Sequence, residues 1–279
     1  MGLLDGRRII VVGATGGIGQ AIARRLMADG ARVVGTGRDP QRLNALRDAG
    51  IHPVPLALDD PVLVGKAMKD ALATHFSDGL DGLVIASGGY GPIGPTRSID
   101  VTRLVATFTD NLVGPLAVIQ AAADALDRGS DPSVAFLSGG GATDAFPNYS
   151  AYAISKVATV RLVENLAREE RDWKVNAIAP GFVATAIHDA TRDAGATATG
   201  GFLARTEEMR GRAVSPDIAG GLAAFLMSPE SNGISGRLIS AVWDPWNEPG
   251  GRKALRDDDH FGRLRRIDAQ FFTAVPGEH

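Results

Sequence analysis

Short runs of apolar, often β-branched residues alternate with longer amphipathic segments along most of the chain. The runs at 8–12, 32–35, 54–58, 82–86, 133–137 and 174–178 are typical of buried strands. Between them, apolar residues recur every three or four positions over 17–29, 41–49, 61–75, 101–126 and 149–170, which predicts helices. Strands without a polar face that alternate with helices predict an α/β fold, a doubly wound parallel sheet with helices on both faces.

The 279 residues contain no internal repeat and no linker rich in Pro, Gly or Ser, so we expect one domain over 1–279. Two regions depart from the alternation. Residues 186–213 are rich in Ala, Gly and Thr and weakly periodic, which favours a mobile lid over a site, with an ordinary surface excursion as the alternative. Residues 242–279 form a C-terminal extension, where Trp243 and Trp246 are expected to be buried, in this subunit or against a neighbour.

Composition narrows the function classes. Hydrophobic residues are 44% and charged residues 22%, which argues against long disorder. The absence of Cys excludes a disulfide framework, a thiolate zinc site and a Cys nucleophile. Five His and a net charge of -3 favour neither a metal site nor a nucleic-acid face, so we expect neither partner. The N-terminus lacks a secretory pattern, and no stretch approaches the about 18–20 apolar residues of a membrane span. The default expectation is a cytoplasmic protein without a membrane partner.

A glycine-rich loop follows the first predicted strand and opens the first predicted helix. Free backbone N–H groups at a helix N-terminus attract phosphate, and a loop without side chains lets a pyrophosphate approach. We therefore predict a nucleotide site here. The spacing fits neither the P-loop nor the G-x-G-x-x-G fingerprint. The residues expected to contact the nucleotide are Gly13, Thr15, Gly16, Gly17, Ile18 and Gly19.

Tyr152 and Lys156 lie four residues apart at the start of a predicted helix, and so share one face. A nearby ammonium lowers the pKa of a phenol and suits it for acid–base work on a carbonyl or alcohol. An exposed i,i+4 pair is the alternative. Tyr149 is the rival phenol, but Ala153 stands four residues after it.

These two motifs together resemble the short-chain dehydrogenase/reductase family. Gly13, Gly17 and Gly19 match its T-G-x-x-x-G-x-G loop, with Val12 in the Thr place, and the likeness extends over about residues 5–241. The resemblance implies a single-domain Rossmann fold and an NAD(P)H-dependent oxidoreductase. Such an enzyme would transfer a hydride between the nicotinamide and a carbonyl or secondary alcohol. Tyr152 is then the general acid/base, and Lys156 lowers its pKa and holds the ribose.

Further family landmarks line up along the chain. The resemblance implies a proton-relay role for Asn111, carbonyl polarisation by Ser138, and an adenine contact for Asp59, whose alternative is a helix N-cap shared with Asp60. The remaining residues that it assigns to the cofactor are Ser87, Gly88, Pro180, Gly181, Val183 and Thr185. Val183 would bond the carboxamide through its backbone and Thr185 through its hydroxyl.

Three departures from the family pattern stand out. The N-N-A-G after the fourth strand is Ile-Ala-Ser87-Gly88 here. The catalytic serine usually lies thirteen residues before the tyrosine, where this chain has Gly139, so Ser138 must reach from one residue earlier or glycine backbone must serve. The usual Asp-Gly-Gly after the last strand is replaced by a segment that ends in Trp243 and Asp244.

Cofactor choice depends on the end of the second strand. Gly37 holds the place of the carboxylate that bonds the adenosine ribose hydroxyls and repels a 2′-phosphate. Arg38 follows, and a guanidinium can bond a phosphate with two donors. Asp39 is better explained as the N-cap of the next helix. We therefore expect NADP(H) to be favoured over NAD(H).

Two other functions remain open on the sequence. One is a catalytically silent nucleotide-binding regulator, against which the set of Tyr152, Lys156 and Asn111 argues. The other is a dehydratase or epimerase of the same fold, against which the lack of a large substrate domain argues. We expect a small carbonyl or alcohol substrate. Alanine-rich helices and the family's habit of pairing them predict a homo-oligomer, a tetramer or a dimer, with the tryptophan tail near an interface.

Overall fold

A computed structural model describes residues 2–266 and contains one parallel sheet. Its seven strands lie in the order β3-β2-β1-β4-β5-β6-β7, with every pair parallel. This confirms the expected α/β fold with a doubly wound sheet. The strands are β1 (Arg8–Val12), β2 (Arg32–Gly37), β3 (His52–Pro55), β4 (Gly82–Ile85), β5 (Ser133–Leu137), β6 (Lys174–Ala179) and β7 (Arg237–Ser240).

Helices cover both faces of the sheet. The helices are α1 (Gly17–Ala28), α2 (Pro40–Asp48), α3 (Pro61–His75), α4 (Val101–Phe108), α5 (Gly114–Asp127), α6 (Ser150–Glu169), α7 (Asp189–Thr199), α8 (Phe202–Arg210), α9 (Pro216–Leu226) and α10 (Pro249–Asp257). Side chains alternate along each strand, so Ile9 and Val11 face the core under α1 and α9, whereas Ile10 and Val12 face α3, α5 and α6. Both cores are apolar, which is why the strands have no polar face.

The strand order reverses between β1 and β4. Chain crossovers run to opposite sides there, so the loops after these two strands separate and leave a crevice at the carboxyl ends of the strands. The glycine-rich loop follows β1, and Ser87 and Gly88 follow β4. The topology therefore places both predicted cofactor segments at one crevice.

The long helix expected at 101–126 is interrupted. Between α4 and α5, residues Thr109–Val113 form a π-helical turn that contains Asn111. Gly114 follows the turn, and a side chain there would overlap the carbonyl oxygen of Leu58. Apolar periodicity continues through this stretch, so the sequence pattern does not show the extra residue in the turn. The third strand also lies two residues earlier than the pattern predicts.

The helical stretch Val101–Asp127 is long and apolar enough to cross a membrane, by length and composition alone. This corrects the expectation that no segment approaches that length. Helices in a protein core pass the same test, and α5 packs against α3 and the sheet with Val118, Ala122 and Leu126 fully buried. The stretch is therefore weak evidence for a membrane span.

The region expected as a lid consists of two short helices, α7 and α8, joined at Gly200 and Gly201, both with positive φ. Tyr149 Oη donates to Thr191 Oγ1 on α7 at 3.0 Å, and Phe202 on α8 packs against the Tyr149 ring. The lid is thus joined to the body of the domain through buried aromatic side chains.

The C-terminal extension packs against the last strand as far as it is described. Leu238 N–H donates to Gly262 O at 2.6 Å, and the buried Arg237 guanidinium donates to the carbonyl oxygens of Asp258 and Phe261. Of the two tryptophans expected to be buried, Trp246 packs against α9, but Trp243 is exposed. The part of the predicted extension at 267–279 lies outside the described residues.

Candidate active site

A cleft of about 1230 Å³ runs across the carboxyl ends of the strands. The glycine-rich loop lines one end of it, and Tyr152 and Lys156 line its middle. Of the residues predicted for the site, all except Asp59 and Asn111 line the cleft. The fold therefore brings together two motifs that stand about 130 residues apart in the sequence.

The glycine-rich loop is shaped for close approach by a ligand. Gly13 has φ +81, and a Cβ there would lie 2.8 Å from the Ser87 backbone N. The loop leads into α1, whose first residue is Gly17, so backbone donors at that helix end face the cleft. The Ser87 hydroxyl is buried without a hydrogen-bond partner in the described structure. A glycine-rich loop with free backbone donors and an unpartnered hydroxyl beside it fits the pyrophosphate of a dinucleotide.

At the adenosine end, Gly37 lies against Thr15, and any side chain at position 37 would overlap the Thr15 side chain. A carboxylate at position 37 would therefore have to displace the Thr15 side chain. Asp39 accepts from the backbone N of Gln41 at 2.8 Å, which confirms it as the N-cap of α2. Arg38 is exposed and lines the cleft, as does Arg42 one turn into α2. No sequence motif identifies Arg42 as a site residue, because it reaches the cleft only through its position on α2.

Asp59 and Asp60 have separate positions. Asp60 caps α3 by accepting from the backbone N of Val62 at 2.9 Å. Asp59 is exposed beside the cleft. Asp110 in the π-helical turn is a carboxylate that does line the cleft, where burial raises its pKa and Arg38 partly opposes that shift. The sequence did not single out Asp110, because the register of a π turn is not visible in a helical pattern.

Lys156 is buried, and its Nζ donates to the backbone carbonyl of Leu137 at the end of β5, at 2.8 Å. Its ammonium lies 5.6 Å from the centroid of the Tyr152 ring. Burial lowers the pKa of Lys156 to about 8 and raises the pKa of Tyr152 to about 12. The shift of the phenol pKa is opposite to the lowering that the sequence predicts, because burial disfavours the charged phenolate.

Asn111 is held by main chain and by one hydroxyl. Its side chain accepts from Gly89 N at 3.0 Å, donates to Gly89 O at 2.9 Å and donates to Ser155 Oγ at 2.9 Å. Ser155 in turn donates to the carbonyl of Tyr152. A Cβ on Gly88 would lie 3.2 Å from Lys156 Nζ and 3.3 Å from Asn111 Oδ1. The Lys156 and Asn111 side chains therefore both lie against Gly88. Ser155 connects Asn111 to the backbone of Tyr152, and no sequence motif indicated this residue.

The end of β5 holds the residues predicted to polarise a carbonyl. Ser138 Oγ is buried and has no hydrogen-bond partner in the described structure, although Ser138 lines the cleft. A Cβ at Gly139 would overlap Tyr152 Oη, so this position must be glycine for the phenol to lie where it does. The departure in serine spacing thus has a steric reason.

The two tyrosines of the YSAY segment have different surroundings. Tyr149 is fully buried and bonded to the lid, and does not line the cleft. Tyr152 is 9% exposed and lines it. Tyr152 is therefore the phenol that a ligand in the cleft can reach.

His188 joins the lid to the opposite wall. Its Nδ1 lies 3.0 Å from Tyr90 Oη and its Nε2 lies 3.1 Å from the carbonyl of Val183. The Tyr90 ring meets the Tyr152 ring edge-on, with centroids 5.0 Å apart. No short-range pattern indicates Tyr90, because it stands 98 residues from His188 in the sequence.

The chain is similar to a known protein family and to several known proteins. A family model described as enoyl-(acyl carrier protein) reductase matches residues 13–241. An uncharacterized oxidoreductase from Methylorubrum extorquens is 30% identical over 250 residues, which covers 86% of this chain and 98% of that protein. Dehydrogenase/reductase SDR family member 4 from Sus scrofa is 29% identical over 245 residues, 85% of this chain and 86% of that protein.

A solved structure shows the same fold. A short-chain dehydrogenase from Shigella flexneri complexed with NADP superposes with a TM-score of 0.74 at 23% identity. The match covers 86% of this chain and 98% of that chain.

Proposed function

The chain belongs to the short-chain dehydrogenase/reductase family, and on this basis we propose that it reduces a carbonyl compound to an alcohol with a nicotinamide cofactor. The observation that carries the proposal is the placement of Tyr152 and Lys156 in the same cleft as the glycine-rich loop. A proton donor and a dinucleotide cradle then face one ligand space. Members of this family are oxidoreductases that act on small molecules, and reduction of a carbonyl is the specific reaction proposed for this chain.

The described residues fit NAD(P)(H). The loop at 13–19 would hold the pyrophosphate, Lys156 the nicotinamide ribose, and Val183 and Thr185 the carboxamide. When bound, the cofactor supplies or accepts the hydride. Two residues after β4 would complete the wall beside the dinucleotide. Ser87 has a buried hydroxyl without a partner, and Gly88 lies against the side chains of Lys156 and Asn111.

Tyr152 is the proposed proton donor. A phenol whose pKa is raised to about 12 is protonated near neutral pH, and so is ready to donate to a carbonyl oxygen. Lys156, held at the carbonyl of Leu137, would return a proton to the phenolate, and Asn111 would hold the water through which solvent replaces that proton.

We propose NADP(H) as the preferred cofactor. The support is steric and electrostatic: Thr15 fills the space of a carboxylate at position 37, Asp39 is engaged as a helix cap, and Arg38 lines the cleft. Arg42 adds a second guanidinium on the same side. A solved structure of the same fold is complexed with NADP, which is consistent with the proposal.

We also propose that the chain forms a homo-oligomer through α4 and α6. Exposed aliphatic side chains on these adjacent helices and on the turn after α4 form what we call the α4/α6 face: Val101, Val105, Val113, Ile154 and Val157. A second copy related by a two-fold axis would bury this apolar face against itself. The alanines of α5 do not serve this purpose, because most of them pack in the core.

Tyr152→Phe is expected to lower turnover of a carbonyl substrate by at least about 10²-fold, because it removes the proton while it keeps the ring. NADPH oxidation across a panel of ketones, aldehydes and acyl thioesters measures this, with calorimetry to show that NADPH still binds. Tyr149→Phe is the matched control and should keep turnover within a few-fold. Normal turnover in Tyr152→Phe would refute the assignment, and turnover of any panel member by the unaltered protein would exclude a silent regulator.

Ser138→Ala is expected to lower turnover by about 10²-fold, the scale for one lost donor to a reacting oxygen, with cofactor affinity unchanged. Steady-state kinetics and NADPH titration separate the two effects. Full activity in the alanine variant would assign polarisation of the carbonyl to glycine backbone or water.

The unaltered protein should bind NADPH about 10- to 150-fold more tightly than NADH, the range for a charge-assisted bond to the 2′-phosphate. Arg38→Ala should remove most of this difference by weakening NADPH alone. Arg47→Ala, the same charge change at the far end of α2, is the control and should leave both affinities as they are. Tighter binding of NADH by the unaltered protein would show that Asp39 faces the ribose.

Val105→Glu is expected to convert the oligomer to monomer, because it buries a charge in the proposed interface. Light scattering at micromolar concentration measures the mass. Val62→Glu places the same charge on α3, where Val62 is 80% exposed, and should leave the oligomer intact. A monomeric unaltered protein would overturn the proposal.

A further inference from the structure

Trp243 is held outward at the end of β7, with 83% of its surface exposed. Its backbone N–H donates to Ser240 Oγ at 3.1 Å, and the Asp244 carboxylate accepts from Ser240 N at 2.7 Å. The turn is thus closed by hydrogen bonds at both ends. Trp246, three residues later, is instead packed against Phe225. The exposure of Trp243 is therefore specific to this one indole.

The exposed indole belongs to the catalytic cleft. Trp243 lines the same cleft as Tyr152. Gly181, which precedes Phe182, lies close to Val242: a Cβ on Gly181 would be 2.7 Å from Val242 Cγ2. The turn that carries the indole is therefore adjacent to the segment between β6 and the lid.

Aromatic rings continue from that segment to the phenol. Phe182 stacks on the His188 ring at 4.4 Å, His188 is hydrogen-bonded to Tyr90, and the Tyr90 ring meets Tyr152. These rings join Tyr152 to the segment that adjoins the turn of Trp243. Phe182 is half-buried and lines the cleft, so it offers an apolar face to a ligand that extends away from the reacting carbon.

Two further aromatic residues line the cleft. Phe146 lies edge-on to the Tyr152 ring with centroids 6.2 Å apart, and Phe202 packs against Phe146 with centroids 4.6 Å apart. Charged residues of both signs also line the cleft, namely Asp144, Arg205, Asp244 and Arg263. Neither sign of charge is therefore favoured in a ligand.

We propose that Trp243 forms the outer wall of the substrate site and that the substrate carries a flat apolar group, an aromatic or fused ring, next to its carbonyl. The inference rests on the proposed reductase function and names the substrate class. It follows because the exposed indole lines the same cleft as Tyr152 and the rings of Phe146, Phe182 and Phe202, so a ligand that extends from Tyr152 to Trp243 would bury the indole.

Tryptophan fluorescence tests the contact without turnover. In the complex with oxidised NADP, 2-tetralone should shield the emission from acrylamide quenching, and cyclohexanone, which lacks the fused benzene ring, should shield it less. Trp173→Phe is the control, because Trp173 is buried next to β6 at the far end of the sheet, and it should keep the shielding. Trp243→Phe should abolish the ketone-dependent change.

Kinetics provide the second test. The unaltered protein should reduce 2-tetralone with kcat/KM at least about tenfold above that for cyclohexanone. Trp243→Ala should bring this ratio close to one, mainly through KM, whereas Trp173→Phe should preserve it.

Failure of the inference and failure of the proposed reductase function would give different results. Reduction of cyclohexanone at the same efficiency as 2-tetralone, with Trp243 equally open to acrylamide, would overturn the inference and leave the reductase function standing. Absence of carbonyl reduction with NADPH bound would refute the function, and the shielding measurement would still decide whether the indole contacts the ligand. Shielding that varies with protein concentration instead of ketone would assign Trp243 to a subunit interface and overturn the inference.

Discussion

The hydrogen bond from Lys156 Nζ to the carbonyl of Leu137 organises the centre of the molecule. A buried ammonium is costly unless it has an acceptor, and this carbonyl lies at the end of β5, where the sheet no longer uses it. The bond therefore fixes the position of α6 along β5. One helical turn earlier, Tyr152 is set against Gly139, and the ammonium lies against Gly88. Asn111 lies against the other side of Gly88's space, held by Gly89 and Ser155. The placement of the phenol next to Gly139 and Gly88 therefore follows from where this one charge is held.

Local patterns in the sequence predict what is local in the structure. The strands and the helices between them follow apolar periodicity, and the Asp39 cap and the loop at 13–19 lie where the spacing places them. The pattern does not show the π-helical turn at Thr109–Val113, because one inserted residue leaves the apolar residues on nearly the same face. The lid appears irregular in the sequence, because α7 and α8 are short and obtain their stability from contacts with Tyr149 and Phe146.

The site is harder to predict than the fold, since its energetics arise from burial. The spacing of Tyr152 and Lys156 places them on one helix face, but burial raises the pKa of the phenol, which the spacing cannot show. The bond between Tyr90 and His188 likewise joins the loop after β4 to the lid, and no motif connects these two residues. By contrast, the glycine in the serine position could be noticed in the sequence, and the structure supplies its reason in the contact with Tyr152 Oη.

The C-terminal segment at 258–264 has a consequence for how copies of this chain meet in a crowded solution. A parallel sheet ends in strands whose outer backbone groups invite further strands, which leads to aggregation. At β7 the N–H of Leu238 is already bonded to Gly262. At the other edge, β3 contains Pro53 and Pro55, which have no N–H to offer. Both open sides of the sheet are therefore poor templates for an added strand, and contact between copies is directed to the helices.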